Sequence, residues 1–477
     1  MRILHISPEL APFAKTGGLA DVVGALPRAL RRAGHDCRAL VPLYSHAKLD
    51  RSALEVLDAD LALAIGERVY RARWLQWRED PTITFLDCPA LYHRGGIYGK
   101  DPDEHHRFLA LCEGAFQVCL RTQWAPDVLH SHDWTAALVP LLLRTRYRHH
   151  PLFASTRTLL SIHNIGYQGS FGAGMVPDLA LHGQEYLLHQ DYLRQGRFNW
   201  LLHGVLYADG ICTVSPTYAQ EIQTPEYGVG MDPFLRARRS TVVGILNGVD
   251  HGEWSPEHDP HLPFRYSVDD LSGKEKNKEA LLREWGLPYV PGVPLFGVVS
   301  RLVGQKGFSL VPDALHPLLV EGRAQLVVLG TGEPRFEALF ADMERRYPRQ
   351  VRFYRGFSNP LAHRIEASAD IFLMPSRYEP CGLNQMYSLR YGTVPIVYRT
   401  GGLADSVRPW NPHLRRGTGF VFEHHDVAGL RWAVESAAAT YSHGATWNHL
   451  MRQGMQEDNG WERRVPLYEL LYQRLRS

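Results

Sequence analysis

The sequence predicts an α/β protein built from two doubly wound parallel sheets, and three observations carry that prediction. Short, β-branched or aromatic apolar runs recur along the 477 residues, separated by helix-length segments, the pattern of βα units whose sheet is buried on both faces. Many runs end in small or polar residues, among them Ser7, His132–Asp133, His163–Asn164, Ser300, Gly330 and Ser376, and in such sheets ligands sit beyond the carboxyl ends of the strands. One hexapeptide, TGGLAD, occurs at 16–21 and again at 400–405, one copy for each sheet.

The first series of runs is RILHI (2–6), RALVPLY (38–44), ITFLDC (83–88), DVLHSHD (127–133), TLLSIHN (158–164) and GICTVS (210–215). The second is PLFGVVS (294–300), AQLVVLG (324–330), VRFYRG (351–356), IFLMPS (371–376) and TVPIVYR (393–399). Between them NGVDHGEWSPEHDPHLPF (247–264) is rich in turn formers and has no sustained period, which marks a boundary. The expected organisation is a first domain over 1–246, a linker over 247–256 and a second domain over 257–455. A terminal segment, 456–477, then carries the amphipathic VPLYELLYQRL and is free to dock back on the first domain.

Composition excludes several classes. Lys and Arg total 52 against 50 Asp and Glu, a net charge of +2, which argues against a nucleic-acid partner held by phosphate attraction. No run approaches the length of a membrane span, and the amino terminus lacks the apolar stretch of a signal peptide, so a cytoplasmic protein without a membrane partner is expected. Six cysteines, none in a Cys-x-x-Cys pair, are too sparse for a disulfide framework and read as buried thiols.

Four stretches carry candidate chemistry. In KTGGLAD (15–21) a base precedes a glycine pair and a helix start, where backbone can approach an anion. In SRLVGQKG (300–307) Arg301 and Lys306 follow a buried strand, a pair able to hold a diphosphate leaving group. GTGEP (330–334) offers Gly332 as part of a backbone cradle for phosphate or ribose. PSRYEPCGLNQMY (375–387) places Glu379 at a strand end, with the amides of Cys381, Gly382 and Leu383 opening a helix as an anion site. Phe353 and Tyr354, ending a strand, are candidates for stacking on a base. His130 and His132, followed by Asp133, also resemble a strand-end His-x-His metal pair of hydrolases. The doublets at 105–106, 149–150 and 424–425, and the Arg/His-rich stretch 144–157, read as solvated surface.

Taken together and in order, KTGGLADVVGALP, HSHDW, SIHNIGYQGSF, VSPTYAQEI, GILNGVDHGEWSP, SRLVGQKG, PSRYEPCGLNQMY and RTGGLADSV resemble the starch and glycogen synthase family. These are retaining glucosyltransferases of the GT-B fold, two facing Rossmann-like domains with an active-site cleft between them. The resemblance implies roles position by position. Lys15, Arg301 and Lys306 match the cations on the donor diphosphate, and Gly18 the glycine that lets it come close. Asp21 matches the acidic residue on the sugar side, Glu379 the carboxylate on donor glucose, and His163 the histidine near the anomeric centre. Asn164 and Asn247 fall on motif positions at the donor, and Asp133 and Trp134 resemble the acceptor end. Two positions depart from the pattern: Tyr387 stands where many relatives on this fold carry a second Glu, and Asn384 where Thr is frequent.

The implied activity is transfer of glucose from ADP-glucose to the non-reducing 4-hydroxyl of an α-1,4-glucan such as glycogen, with retention, in glycogen biosynthesis. No Asp-x-Asp motif suggests a metal, and no cofactor is expected. No second carboxylate offers itself as nucleophile, which favours departure and attack on one face. Four alternatives stay open on the residues alone: a UDP-glucose-using enzyme, one forming maltose phosphate, a His-x-His metal hydrolase, and a non-catalytic glucan-binding protein.

Overall fold

A computed structural model of the chain describes residues 1–476. It divides into two units, Met1–Gly248 with Trp461–Ser477, and Val249–Gly460. The first unit is built on nine strands: β1 (Arg2–Ile6), β2 (Asp36–Pro42), β3 (Leu54–Ile65), β4 (Arg68–Trp77), β5 (Ile83–Asp87), β6 (Val128–His132), β7 (Arg157–Ile162), β10 (Gly210–Thr213) and β11 (Val242–Gly244), with a separate short ribbon of β8 (Ser170–Gly172) and β9 (Arg197–Asn199). Their order across the sheet is β11-β10-β7-β6-β1-β2-β5-β4-β3. All neighbours are parallel except the β3–β4 hairpin and its pairing onto β5. That hairpin lies in 54–77, outside the apolar runs, because β3 carries several exposed positions instead of forming an apolar block.

The second unit has one six-stranded, all-parallel sheet. Its strands are β12 (Leu295–Leu302), β13 (Gln325–Gly332), β14 (Val351–Arg355), β15 (Ile371–Met374), β16 (Val394–Tyr398) and β17 (Phe420–Phe422), in the order β14-β13-β12-β15-β16-β17. In both sheets the order reverses beside the first strand, at β1/β6 and at β12/β15, the switch points outside which α/β sheets bind ligands.

Residues 247–256 are not a separate linker. Asn247 and Gly248 belong to the first unit and the rest to the second. Val249 donates its N–H to Asn459 O at 2.8 Å, so the outgoing and returning chain run side by side within the second unit. The second unit therefore extends to Gly460 rather than 455. The terminal helix Val465–Arg476 buries Val465, Tyr468, Leu471 and Tyr472 against Ile3, Val22, Leu26, Val128 and Leu159 of the first unit. Its Tyr472 hydroxyl lies 2.9 Å from His130 Nδ1. The helix Gly18–Arg32 buries Leu19, Val22, Val23, Leu26 and Leu30, with Asp21 in its first turn and Arg31 and Arg32 in its last, the charge order its dipole favours.

The stretch 144–157 is structural rather than a solvated loop. Arg146 pairs with Glu113 at 2.6 Å, and Tyr147 stacks on Phe116 with ring centroids 4.0 Å apart. His149 and His150 are exposed, but His105 and His106 are buried, against the surface reading of that doublet. All six cysteines are free and buried. Among the described residues no helix is long and apolar enough to cross a membrane.

Candidate active site

In the first unit the loop leaving β1 is organised by Glu9, which lies outside the TGGLAD motif. Glu9 is 2% exposed. Its carboxylate accepts the Thr16 N–H (2.5 Å), the Thr16 hydroxyl (2.6 Å), the Tyr98 hydroxyl (2.6 Å) and the Gly17 N–H (3.3 Å). A buried carboxylate with four donors pins the turn that presents Lys15, Gly17 and Gly18. The only sequence signal for Glu9 is an acidic residue just past a buried strand. Gly17 is extended, at φ −159°, and a Cβ built on it meets nothing within 4 Å, so the turn faces open space. Gly18 is exposed at the helix start. Lys15 reaches Asp21 at 2.6 Å, and burial pushes the Asp21 carboxyl up against the pull of that lysine.

The ends of β6 and β7 bring a column of imidazoles together. His5 Nδ1 lies 3.0 Å from His132 Nε2, and His132 Nδ1 lies 3.0 Å from His163 Nε2. His163 Nδ1 is the ring nitrogen not engaged by His132. Burial holds His5 and His163 down to about 3 and pushes His132 well below the usual histidine range, so the column is neutral. Asp133 follows at φ +56°, the left-handed region that Asp tolerates better than most residues. Its Oδ1 accepts the N–H of His163 (2.7 Å) and of Asn164 (3.3 Å), tying the two strand ends together, and burial raises its carboxyl to about 7.

Asn164 Oδ1 accepts the Gly166 N–H at 3.0 Å, which shapes the turn after β7. Asn247 is 4% exposed and its Oδ1 has no partner among the described residues. The Trp134 ring packs edge-on to Phe108 (4.9 Å between centroids) and Trp200 (5.9 Å). A Cβ on Gly169 would come within 2.2 Å of that ring. Trp134 is thus half-buried in an aromatic cluster.

His130 and His132 do not form a hydrolase metal pair. His130 is engaged at both nitrogens, by Ser161 Oγ (2.7 Å) and Tyr472, and His132 by two further histidines. His5, His130 and His132 have nitrogens within 4.8 Å of one another, yet among the described residues no carboxylate joins this buried trio to balance a dication.

Neutral histidines that gain a proton only on unfolding give a pH signature. Their native pKa lies below the unfolded value of about 6.5, so the unfolded state takes up protons first and stability falls as pH drops below about 6.5. Each of His5, His130 and His132 then contributes a loss of up to about 1.4 kcal/mol per pH unit. The Asp133 carboxyl, raised to about 7, takes up its proton first in the folded state and offsets part of this loss over the same window. Urea unfolding at pH 7 and pH 5 should still show a lower midpoint at pH 5; an equal or higher midpoint would mean that the buried histidines do not govern stability in this window.

In the second unit β12 and β15 end side by side. Lys306 Nζ meets Glu379 Oε2 at 2.6 Å, and Ser376 donates its hydroxyl to the same oxygen at 2.8 Å. Glu379 is 6% exposed, whereas Arg301 is exposed. Gly307, at φ +70°, is required where the Lys306 turn crosses the next strand end, since a Cβ would lie 1.9 Å from Pro375 O.

The two TGGLAD copies differ in what they approach. In the second, a Cβ on Gly401 (φ +41°) would lie 1.9 Å from Glu379 O, and one on Gly402 would lie 2.2 Å from Cys381 O. The Gly402 N–H also donates to Glu379 O at 3.0 Å. This copy packs directly against the Glu379 loop, where the first faces open space.

The Gly332 N–H is occupied by Glu337 Oε1 at 3.0 Å, which also takes the Thr331 hydroxyl, so the cradle expected there is filled by the chain's own carboxylate. Phe353 packs on the core beside Phe340, while Tyr354 is exposed and lies towards Trp285. Adjacent strand residues point to opposite faces, so the two cannot stack on one base. Gly382 sits in a left-handed turn (φ +70°) before a helix that begins at Asn384, not within it. Gln385 Nε2 holds that turn through Cys381 O and Gly382 O, with Leu383 half-exposed at the helix start. Asn384 donates to Glu366 at 3.2 Å, and Tyr387 stacks flat on Trp254 with centroids 3.9 Å apart, so both departures from the family pattern serve packing.

Comparison with known proteins identifies the family and the fold. The family described as "Starch synthase catalytic domain" matches residues 2–237, and "Glycosyl transferases group 1" matches 287–447. The glycogen synthase of Geobacillus thermodenitrificans is 42% identical over 478 residues, covering 100% of this chain and 98% of the relative. That of Koribacter versatilis is 42% identical over 481 residues, covering 100% and 99%. The solved catalytic domain of starch synthase IV from Arabidopsis thaliana, bound to ADP and acarbose, matches with a TM-score of 0.93 at 34% identity over 100% of this chain and 99% of that one. A sucrose-phosphate synthase from Thermosynechococcus elongatus, at 18% identity and a TM-score of 0.60 over 99% and 98%, shares the fold. Full-length identity of this order excludes the hydrolase reading, and the chain belongs to the glycogen and starch synthase family, glycosyltransferases of two-domain GT-B architecture.

Proposed function

We propose that the chain transfers glucose from ADP-glucose to the non-reducing 4-hydroxyl of an α-1,4-glucan, with retention, in glycogen biosynthesis. The observation that carries this reading is the Lys306–Glu379 pair at adjoining strand ends, a cation for a leaving diphosphate beside a carboxylate for sugar hydroxyls. It is supported by the relative that binds ADP and acarbose. Lys15, Arg301 and Lys306 stabilise charge on the departing diphosphate, Gly18 admits it, and Asp21 orients Lys15. Glu379 accepts hydrogen bonds from the donor glucose. His163, held neutral and aimed by His132, presents Nδ1 to the sugar. Asn164, Asn247 and the Cys381–Leu383 turn complete the donor side, and Asp133 and Trp134 the acceptor side.

Retention through a covalent intermediate uses a carboxylate nucleophile on the face of C1 opposite the leaving group, and the carboxylates near these strand ends are already held by other partners. Glu9 is engaged by four donors, Asp133 by two backbone N–H groups and Glu379 by Lys306 and Ser376. The proposed course is one-face transfer: the C1–phosphate oxygen bond breaks, the acceptor O4 bonds C1 from the same side, and a diphosphate oxygen takes the hydroxyl proton. The chemistry uses no cofactor, membrane or nucleic acid, and six free, buried thiols fit a reducing cytoplasm. Parallel assays with ADP-glucose and UDP-glucose on a glycogen primer test the donor. ADP-glucose should be turned over with the higher kcat/KM; equal or better use of UDP-glucose, or product only with a phosphorylated acceptor, overturns the assignment.

A further inference from the structure

The transfer chemistry leaves one cluster of ligating side chains unused. His105 and His106 are consecutive residues in the first turn of the helix Glu104–Thr122. Consecutive helical side chains ordinarily diverge. Here both rings turn to one point: His105 Nε2 lies 2.8 Å and His106 Nε2 3.0 Å from the same oxygen, Asp178 Oδ2. The ring planes are 84° apart, and the three ligating atoms all fall within 4.8 Å of one another.

We propose that His105, His106 and Asp178 form a binding site for a divalent transition-metal ion, zinc by the chemistry of its donors. Two imidazole nitrogens and a carboxylate oxygen are a common zinc set. Around tetrahedral zinc, ligand atoms at 2.0–2.1 Å stand about 3.3 Å apart, so each present contact opens by less than about 1 Å. The carboxylate supplies the negative charge that the buried His5, His130 and His132 trio lacks. Asp178 keeps a quarter of its side chain exposed, which admits water as the remaining ligand.

The outer contacts also suit a metal. The Tyr70 hydroxyl lies 2.7 Å from His106 Nδ1 and can accept Nδ1–H, leaving Nε2 as the lone-pair nitrogen, as in metal-bound imidazole. Asp178 is held from behind, its carbonyl accepting the Gly66 N–H at 3.1 Å. An ion here joins two segments far apart in sequence, the helix start at 105–106 and the 3₁₀ segment Ala173–Leu179, and the second of these is bonded in turn to the β3–β4 turn at Gly66. Its effect is to staple the hairpin edge of the first unit, apart from the residues assigned to transfer.

The test uses the full chain freed of metal and dialysed against micromolar zinc. One zinc per chain by mass spectrometry and a melting temperature raised by zinc are expected. Asp178→Asn and His105→Gln, which keep hydrogen-bonding shape, should lose both responses while retaining turnover of the sugar nucleotide. Cobalt substitution gives a second readout, since four-coordinate Co²⁺ in this set shows visible d–d bands; the wild type should show them even if a variant fails to fold. No bound zinc, zinc binding unchanged in folded variants, or no visible bands from cobalt overturns the site.

Discussion

Lys306→Ala is expected to lower kcat by about 10²–10³-fold, the usual cost of removing one preorganised group from developing charge. Lys306 sits at the carboxyl end of β12 with its ammonium 2.6 Å from Glu379. Its removal takes a positive charge from the leaving diphosphate and frees Glu379 from its ion-pair partner. Glu379, 6% exposed, then keeps Ser376 as its hydrogen-bond donor, at a stability cost of about 1–3 kcal/mol. The melting temperature should therefore fall slightly while turnover falls steeply. Lys306→Arg restores charge but not the point-like geometry, so it should recover part of the rate. A Lys306→Ala enzyme with kcat within about twofold of wild type would remove the second unit's strand-end pair from the chemistry.

Gly401→Ala and Gly17→Ala, equivalent changes in identical hexapeptides, should have opposite outcomes. At Gly401 the backbone is left-handed, and the new methyl would lie 1.9 Å from Glu379 O. The backbone conformation alone costs about 1–2 kcal/mol, and relief of the clash pushes the Glu379 loop away from Lys306. A shift of about 1 Å in a reacting group can cost about 10²-fold in rate, so Gly401→Ala should lose both melting temperature and kcat. At Gly17 the backbone is extended and the space empty. Gly17→Ala should keep the wild-type melting temperature or exceed it slightly, through the unfolded state. Thermal scans and initial rates on the two proteins decide the point; equal loss of stability would mean that the copies are structurally equivalent after all.

Where the sequence was legible, the signal was local. Buried parallel strands are short apolar blocks, so the runs ending at Ser300, Gly330 and Ser376 coincide with β12, β13 and the end of β15. The β3–β4 hairpin was not legible, because a half-exposed strand carries no such block. Among site residues, Lys306 and Glu379 could be named from their motifs, 73 positions apart, but their direct pairing could not. Glu9 escaped notice because a buried carboxylate is identified by its four donors, and these come from positions 16, 17 and 98.

By itself the sequence determined two α/β sheets, the strand ends at which candidate residues gather and the types of those residues. Period, strand length and glycine placement act over a few residues and survive without knowledge of the partner. The tertiary structure alone decided what each group faces. It turned one TGGLAD loop to open space and the other onto Glu379, filled the Gly332 turn with Glu337, and separated Phe353 from Tyr354 across a sheet. It also drew His105, His106 and Asp178 to one point. These outcomes depend on approaches of a few ångströms between segments tens to hundreds of residues apart, a distance relation that no local pattern encodes.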